Sequence, residues 1–593
     1  MKALFAVSLG ALLGLNAVAE TGWTPAEGPL LTRWAEEIAP EQPLPEYPRP
    51  QLRRPEWKSL NGFWDYAIGP RTEPRPKQAD GQILVPYPLE SALSGVGESI
   101  TANDLLWYTR PFELPEAWDG QRVMLNFGAV DWEARVWVNG RFVGEHRGGY
   151  TPFAFDITSA LAPAGPQEIT VSVWDPTDEG YQPRGKQVRE PGEIWYTAVT
   201  GIWQTVWIEP VPDQHVSALR VTPDVNRNAV RIETSLASKA PATVTARVYD
   251  NGRQIGEATG GAVEIPIEDP KLWSPESPFL YDLTVTVEAA DGATTDVVES
   301  YFGMRDVRLG KDGNGVQRIL LNGEFVFQYG LLDQGWWPDG LYTAPTDDAL
   351  RYDVEMTKAM GFNMARKHVK VEPARWYYWA DKLGLLVWQD MPNGDEHIGR
   401  DDPDIERAAQ SARQFEREYL AMIGALYNHP SIVMWIPFNE GWGQFDTERI
   451  VELTRKHDPT RLVNNASGWT DRGVGDVHDI HRYPGPAAPE AEEDRAIVLG
   501  EFGGLGLIVE GHLWQFDDAW GYRSYDSEEE LLDAYRNLVK ELRPLIDEPG
   551  LSAAVYTQTT DVEIEVNGLM TYDRAVTKID PGVLTEINGV LYE

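Results

Sequence analysis

The 593-residue chain contains no cysteine. Disulfides, thiolate nucleophiles, cysteine metal sites and cysteine lipidation are all excluded by that absence. Histidine is scarce as well, with nine residues and no ligand-like spacing, so no metal site is expected. Beyond the N-terminus no run reaches the roughly eighteen apolar residues of a membrane-spanning helix. Cations are few: 52 Lys and Arg stand against 92 Asp and Glu, a net charge of −40. Nucleic acids are bound by clustered cations that displace counterions, so no nucleic-acid partner is expected, and no membrane partner on similar grounds. The acidity reads as a solubilising surface.

Hydrophobic residues make up 42% of the chain, enough to bury sizeable cores. At about 100–200 residues per domain the length implies several domains. Aromatics reach 11%, with 23 Trp. Flat indoles stack on the C–H faces of sugars but fill β-sandwich cores equally well, so composition leaves function open. Met1-Lys2, an apolar stretch over 3–15 and Ala17-Val18-Ala19 before Glu20 form the pattern of a secretory signal peptide. Residues 1–19 are expected to be cleaved after Ala19, which predicts a periplasmic or secreted protein.

Residues 20–55 are rich in Pro and Glu, without periodicity, and read as an extended lead-in. From 56 to 212 the pattern is short strands and turns. Residues 133–138 alternate, Asn139-Gly140 turns, and 141–143 return, a strong hairpin signal. With further strands near 123–127, 168–174 and 205–209, this predicts a jelly-roll β-sandwich. Residues 213–306 repeat the alternation at Val244, Ala246 and Val248 and at Tyr281, Leu283, Val285 and Val287, which suits an immunoglobulin-like β-sandwich.

The texture changes over 307–593. Apolar runs at 327–331, 362–369, 385–391, 432–438, 462–466, 477–481, 496–500 and 551–557 alternate with helical patterns. The clearest helix puts Leu531, Tyr535, Leu538, Val539 and Leu542 on one face behind a capping box at Ser527 and Glu530. Eight buried strands with helices between them predict a C-terminal (β/α)8 TIM barrel, whose active groups sit at the C-terminal strand ends.

The fourth of these strands ends in Phe438-Asn439-Glu440 and the seventh in Gly500-Glu501-Phe502-Gly503. An isolated Glu among so many acids is ordinarily solvated surface. Two glutamates ending apolar strands on opposite sides of one barrel mouth instead match what glycoside cleavage requires: one protonated carboxyl and one ionised. On the sixth strand, alternation puts His481 and Tyr483 on one face and His478 on the other, so these two histidines do not share a zinc. His481 and Tyr483 either line the site or pack under its loops. The second strand offers Arg366 and His368 on one face, to bind sugar hydroxyls or the ionised carboxyl, or to form a buried ion pair. Trp442 and Trp469 directly follow strands and are the better placed of several tryptophans to carry a sugar.

These residues resemble glycoside hydrolase family 2, the family of β-galactosidases, β-glucuronidases and β-mannosidases. The resemblance rests on Asn126-Phe127-Gly128-Ala129-Val130-Asp131, Val136-Trp137-Val138-Asn139-Gly140, Gly148-Gly149-Tyr150-Thr151-Pro152-Phe153 and Thr200-Gly201-Ile202-Trp203-Gln204. In the barrel it rests on Phe438-Asn439-Glu440, Asp479-Ile480-His481-Arg482-Tyr483-Pro484 and Gly500-Glu501-Phe502-Gly503. It implies a retaining double displacement with Glu440 as acid/base and Glu501 as nucleophile, their carboxyls about 5–5.5 Å apart. Asn439 matches the residue holding the sugar 2-hydroxyl, Tyr483 the tyrosine beside the nucleophile, and His368 a site histidine.

Two departures bear on substrate. Family β-glucuronidases carry Asn-x-Lys late in the barrel, where this chain has Asn567-Gly568-Leu569; and 366–370 reads Arg-Lys-His-Val-Lys, not the usual Arg-x-x-His-Tyr-Pro. The resulting expectation is a retaining exo-β-glycosidase acting on an oligosaccharide or polysaccharide-derived glycoside, with a β-galactoside foremost. The alternatives are another neutral sugar (β-mannoside, arabinoside or galactofuranoside) and, in a different class, a non-catalytic carbohydrate-binding protein. No cofactor is expected to be required; a divalent cation such as Mg or Ca occurs in relatives, but no ligand set is identifiable. Self-association is left open.

Overall fold

The computed structural model describes residues 23–593 apart from 291 and 293; the expected signal peptide lies outside the described residues. The first sandwich faces a four-stranded sheet, containing Arg122–Phe127 and Val206–Val211, against a six-stranded sheet. Alternating residues of both sheets, among them Val123, Leu125, Phe127, Val136, Val138, Ile169, Val171 and Val173, meet in one core. The hairpin forms where alternation placed it: Glu133–Val138 pairs antiparallel with Arg141–Arg147. Its turn has Asn139 at φ 50° and Gly140 at φ 75°, the doubly positive conformation that matches strand twist. The second sandwich packs three strands against four around Val244, Ala246, Val248, Leu283, Val285 and Val287.

The barrel strands are β1 Gln328–Asp333, β2 Met364–Lys367, β3 Leu386–Asp390, β4 Ile432–Ile436, β5 Leu462–Val463, β6 Val477–Arg482, β7 Ala496–Gly503 and β8 Ala553–Thr557. They form one parallel sheet in the order β5-β4-β3-β2-β1-β8-β7-β6, closed except for hydrogen bonding between β5 and β6. Helices α1 Asp347–Ala359, α2 Ala374–Leu383, α3 Ala409–Leu426 and α4 Thr447–His457 follow the first four strands in turn; α5 Glu528–Asp547 follows β7 and α6 Pro581–Gly589 follows β8. α5 buries Leu531, Tyr535, Leu538, Val539 and Leu542, and the Ser527 hydroxyl accepts from the Glu530 N–H.

The strict strand–helix alternation expected of the barrel fails in two places, for among the described residues no helix joins β5 to β6 or β6 to β7. Between β5 and β6, Gly468, Gly473 and Gly475 all have positive φ, which breaks any helical path. Between β6 and β7, prolines at 484, 486 and 489 remove donors and clash with a helical backbone. Both connections lie beside the strand ends that carry the site.

The first sandwich also reaches the barrel mouth. In its 175–200 segment, the Arg184 and Gly185 N–H groups donate to the Asn393 carbonyl beyond β3, while Thr197 N–H and Tyr196 O–H bond Glu563 and Glu565 beyond β8.

Candidate active site

β4 and β7 present their terminal carboxylates to one another. An oxygen of Glu440, an oxygen of Glu501 and a ring nitrogen of His481 all lie within 4.8 Å of one another. Glu440 follows β4 at φ 52°, and its N–H is tied to the Ser467 carbonyl at 2.8 Å. Gly468 lies directly behind it: a Cβ there would sit 3.1 Å from Glu440 Cγ and 3.2 Å from the His481 ring.

Arg366 organises the floor. It is fully buried, and its five N–H donors have five acceptors: both oxygens of Asp390 (3.0 and 2.9 Å), Glu501 Oε1 (3.0 Å), the Gly500 carbonyl (3.3 Å) and Asn439 Oδ1 (2.7 Å). No donor remains for a sugar hydroxyl, so of the roles open to it Arg366 takes the one beneath the ionised carboxyl and not the one against substrate. The Asn439 amide is thereby oriented, and its buried Nδ2 has no partner among the described residues.

Glu501 also accepts the Tyr483 O–H at 2.7 Å, and Tyr483 shares a second 2.7 Å bond with Thr557 Oγ1. The Tyr483 ring stacks on Tyr522 at 3.8 Å. Burial by itself would raise the Glu501 pKa, but His481, Arg366 and the Tyr483 hydroxyl together hold it well below the usual carboxylate range. Burial likewise pushes Tyr483 well above its ordinary value, which keeps it a donor.

His481 stands between the two acids, with Nδ1 2.6 Å from Glu440 Oε1 and 3.4 Å from Glu501 Oε2. Its Nε2 is 2.8 Å from Ser467 Oγ, which donates onward to Asp479 at 2.6 Å. Burial opposes the imidazolium, but Glu501, Glu440 and Asp479 outweigh it and raise the pKa. His478 points elsewhere, toward Glu492 at 2.7 Å, as strand alternation required. His368 behaves oppositely to His481: burial, Lys186 and Arg366 depress its pKa well below normal, so it stays neutral with Nδ1 on Asp390 at 2.9 Å.

Of the two tryptophans, Trp469 is 38% exposed with its ring edge-on to His481 at 5.9 Å, free to offer a face to a ligand. Trp442 is buried in a wall with Trp195 of the first sandwich (5.0 Å), His397 (5.3 Å) and His368 (6.1 Å). Among the described residues, Glu440, His481 and Glu501 are also the one group spaced to hold a metal ion. Its oxygens are already matched by Arg366, His481 and Tyr483, and a cation would have to displace those donors.

Sequence reasoning missed Asp390, Ser467, Asp479, Lys186 and Tyr522. Asp390 ends β3 as Glu440 and Glu501 follow or end their strands, so the same strand-end signal would have found it. Ser467, Lys186 and Tyr522 lie outside the barrel strands, and nothing in their local pattern marks them.

Three models of one family match the chain: the glycosyl hydrolases family 2 sugar-binding domain over 83–209, the family 2 domain over 202–305 and the family 2 TIM barrel domain over 343–578. A β-galactosidase of Thermoanaerobacter pseudethanolicus is 28% identical over 60% of this chain and 47% of its own length. A β-glucuronidase of Paenibacillus borealis is 26% identical over 69% of this chain and 72% of its own. The chain thus spans about half the length of the β-galactosidases it resembles, 47% and 49% in two cases. Among solved structures, β-D-glucuronidase of Dictyoglomus thermophilum superposes with a TM-score of 0.73 at 20% identity, over 92% of this chain and 98% of that one. The strand-end carboxylates, the three-part architecture and the matched segments together place this chain in glycosyl hydrolases family 2.

Proposed function

We propose that the protein is a retaining exo-β-glycosidase. The observation that carries this reading is the pair Glu440 and Glu501, with carboxyl oxygens within 4.8 Å across one barrel mouth. That spacing suits direct attack on the anomeric carbon; inversion needs about 6.5–9.5 Å to admit water. Glu501, kept ionised by Arg366, His481 and Tyr483, attacks the anomeric carbon while Glu440 protonates the departing oxygen. The glycosyl ester then breaks down when Glu440 takes a proton from water, the water oxygen bonds to the anomeric carbon and the Glu501 carboxylate leaves. Asn439 Nδ2, without a partner among the described residues, is a donor beside Glu440 suited to the sugar 2-hydroxyl. The 1–19 segment supports export to the periplasm or medium.

The relatives named above supply two sugars. Leu569, buried where family β-glucuronidases carry lysine, favours a β-galactoside. A second reading, a β-uronide, is favoured by Lys186. A panel of aryl β-glycosides tests the activity. Glu501→Ala should abolish turnover with the fold retained, and full activity in that variant removes Glu501 from the mechanism. Glu440→Ala should slow poor leaving groups far more than nitrophenyl ones, because only the former need a proton. Sugar binding without turnover in the unaltered protein would favour the non-catalytic alternative.

A further inference from the structure

Four lysines are buried among the described residues: Lys186, Lys367, Lys370 and Lys578. Three have a carboxylate within 2.9 Å: Lys367 pairs with Asp333 and Glu372, Lys370 with Glu372, and Lys578 with Asp561. Such pairing is what a buried ammonium demands. The ammonium of Lys186, a residue 5% exposed, makes no hydrogen bond or ion pair with any described residue; its Nζ lies 5.3 Å from the centre of the Tyr196 ring.

Its placement is nevertheless tightly specified. On one side the Gly185 N–H donates to the Asn393 carbonyl at 3.0 Å. Gly185 is at φ 64°, and a Cβ there would fall 2.5 Å from the Val369 carbonyl oxygen, so only glycine lets the segment lie this close to the barrel. On the other side the buried Gln187 amide donates to Asp131 (2.8 Å) and Tyr150 (3.1 Å) and accepts from the Val199 N–H (2.7 Å). The Lys186 carbonyl itself accepts from the Tyr196 N–H at 2.9 Å. The Tyr196 hydroxyl reaches Glu565 beyond β8, and Trp195 packs on Trp442 above His368. The segment therefore walls the mouth that holds Glu440 and Glu501, and Lys186 is fixed within it.

The charges of Glu565, Glu501 and Glu440 act on the Lys186 ammonium against the effect of burial, while Arg366 acts with burial. Each acid already has a donor: Glu565 has Tyr196 and Asn567 Nδ2, Glu501 has Arg366 and Tyr483, and Glu440 has His481. Of these groups the ammonium is the one without a hydrogen-bond partner among the described residues.

We propose that Lys186 is a specificity-determining residue that pairs with the carboxylate of a uronic acid at this barrel mouth, making the substrate a β-linked uronide. The cation comes from the first sandwich and not from the position after Asn567, where Leu569 packs in an apolar cluster. A site built around a buried charge rejects the analogue that lacks its partner. This inference rests on the glycosidase reading for turnover but not for binding.

The test compares 4-nitrophenyl β-D-glucuronide with the glucoside and the β-D-galacturonide with the galactoside, each pair differing only at C6. Free glucuronate, galacturonate, glucose and galactose are titrated calorimetrically in parallel. The wild-type protein should prefer the uronide, and Lys186→Met should lower the uronide-to-neutral ratio of kcat/KM at least a hundredfold. Lys186→Arg, which keeps the charge, should retain part of the preference. Equal losses on both members of a pair, or a wild-type preference for the neutral sugar, would overturn the proposal. If no glycoside is turned over, the glycosidase reading fails by itself. Uronate-selective binding that vanishes in Lys186→Met would still sustain the assignment, and binding without selectivity would overturn it. Should Lys186→Met not fold, the wild-type preference decides.

Discussion

Replacing Tyr483 with phenylalanine removes one oxygen and leaves the stacking on Tyr522 in place. The lost O–H donates at 2.7 Å to Glu501 Oε2, a bond to a carboxylate in a buried site. Such bonds contribute about 1.5–3 kcal/mol. Their effect on the two chemical steps differs. When Glu501 attacks, its charge disappears into the ester, so the hydroxyl stabilises the reactant more than the product. When the ester breaks down, the carboxylate re-forms and Tyr483 stabilises the leaving group. Tyr483→Phe should therefore slow breakdown by about tenfold to a hundredfold. With a nitrophenyl glycoside the glycosyl-enzyme then accumulates, so kcat and KM fall together and a burst of nitrophenol appears. The acid limb of the pH–rate profile should also move upward, since one of the groups holding Glu501 low has been removed. Stopped-flow absorbance reads the burst, and steady-state rates between pH 3 and 8 read the limb. An unchanged kcat with an unmoved acid limb would refute this reasoning.

Removing Arg366 strands two acids. Arg366→Met should destabilise the fold by about 3–5 kcal/mol, because Asp390 and Glu501 stay buried without their cation; urea unfolding at neutral pH measures this. Ser467→Ala breaks the link from His481 to Asp479 and should lower kcat/KM about tenfold with little change in KM, as steady-state kinetics would show; a loss confined to KM would contradict it. Stability should fall as pH rises from 5 to 8. Burial raises Glu418 and Glu563 to about 7, so in this window the folded state holds protons that the unfolded chain has released, and the stability present below about pH 4.5 is lost through about pH 7. His481, also raised, acts in the same direction, whereas Glu501, held low, matters only at lower pH. A melting temperature that is flat or rises over that range would contradict the assignment.

The barrel was legible because its strands are buried on both faces and read as apolar runs, so all eight segments stand where strands were expected. Glu440 and Glu501 could be found because a charge following such a run has nowhere to go but the barrel mouth. The two missing helices were less visible, although the prolines at 484, 486 and 489 forbid one of them in plain letters. What the sequence conceals is contact between distant segments. Ser467 meets His481, and Lys186 is brought from the first sandwich to the barrel mouth by hydrogen bonds to residues some two hundred positions away. Arg366 shows a further limit: strand alternation places it on the inner face, but only the full set of acceptors reveals that it serves Glu501 and Asn439 and leaves nothing for a sugar.

The most direct test of the paired carboxylates is the configuration of the first product. Proton NMR recorded during the first turnovers of an aryl β-glycoside that the protein accepts should show the β-anomer of the free sugar appearing first, with the α-anomer growing in later by mutarotation. An α-anomer formed first would mean that water attacks directly, and would contradict a mechanism in which Glu501 bonds to the sugar.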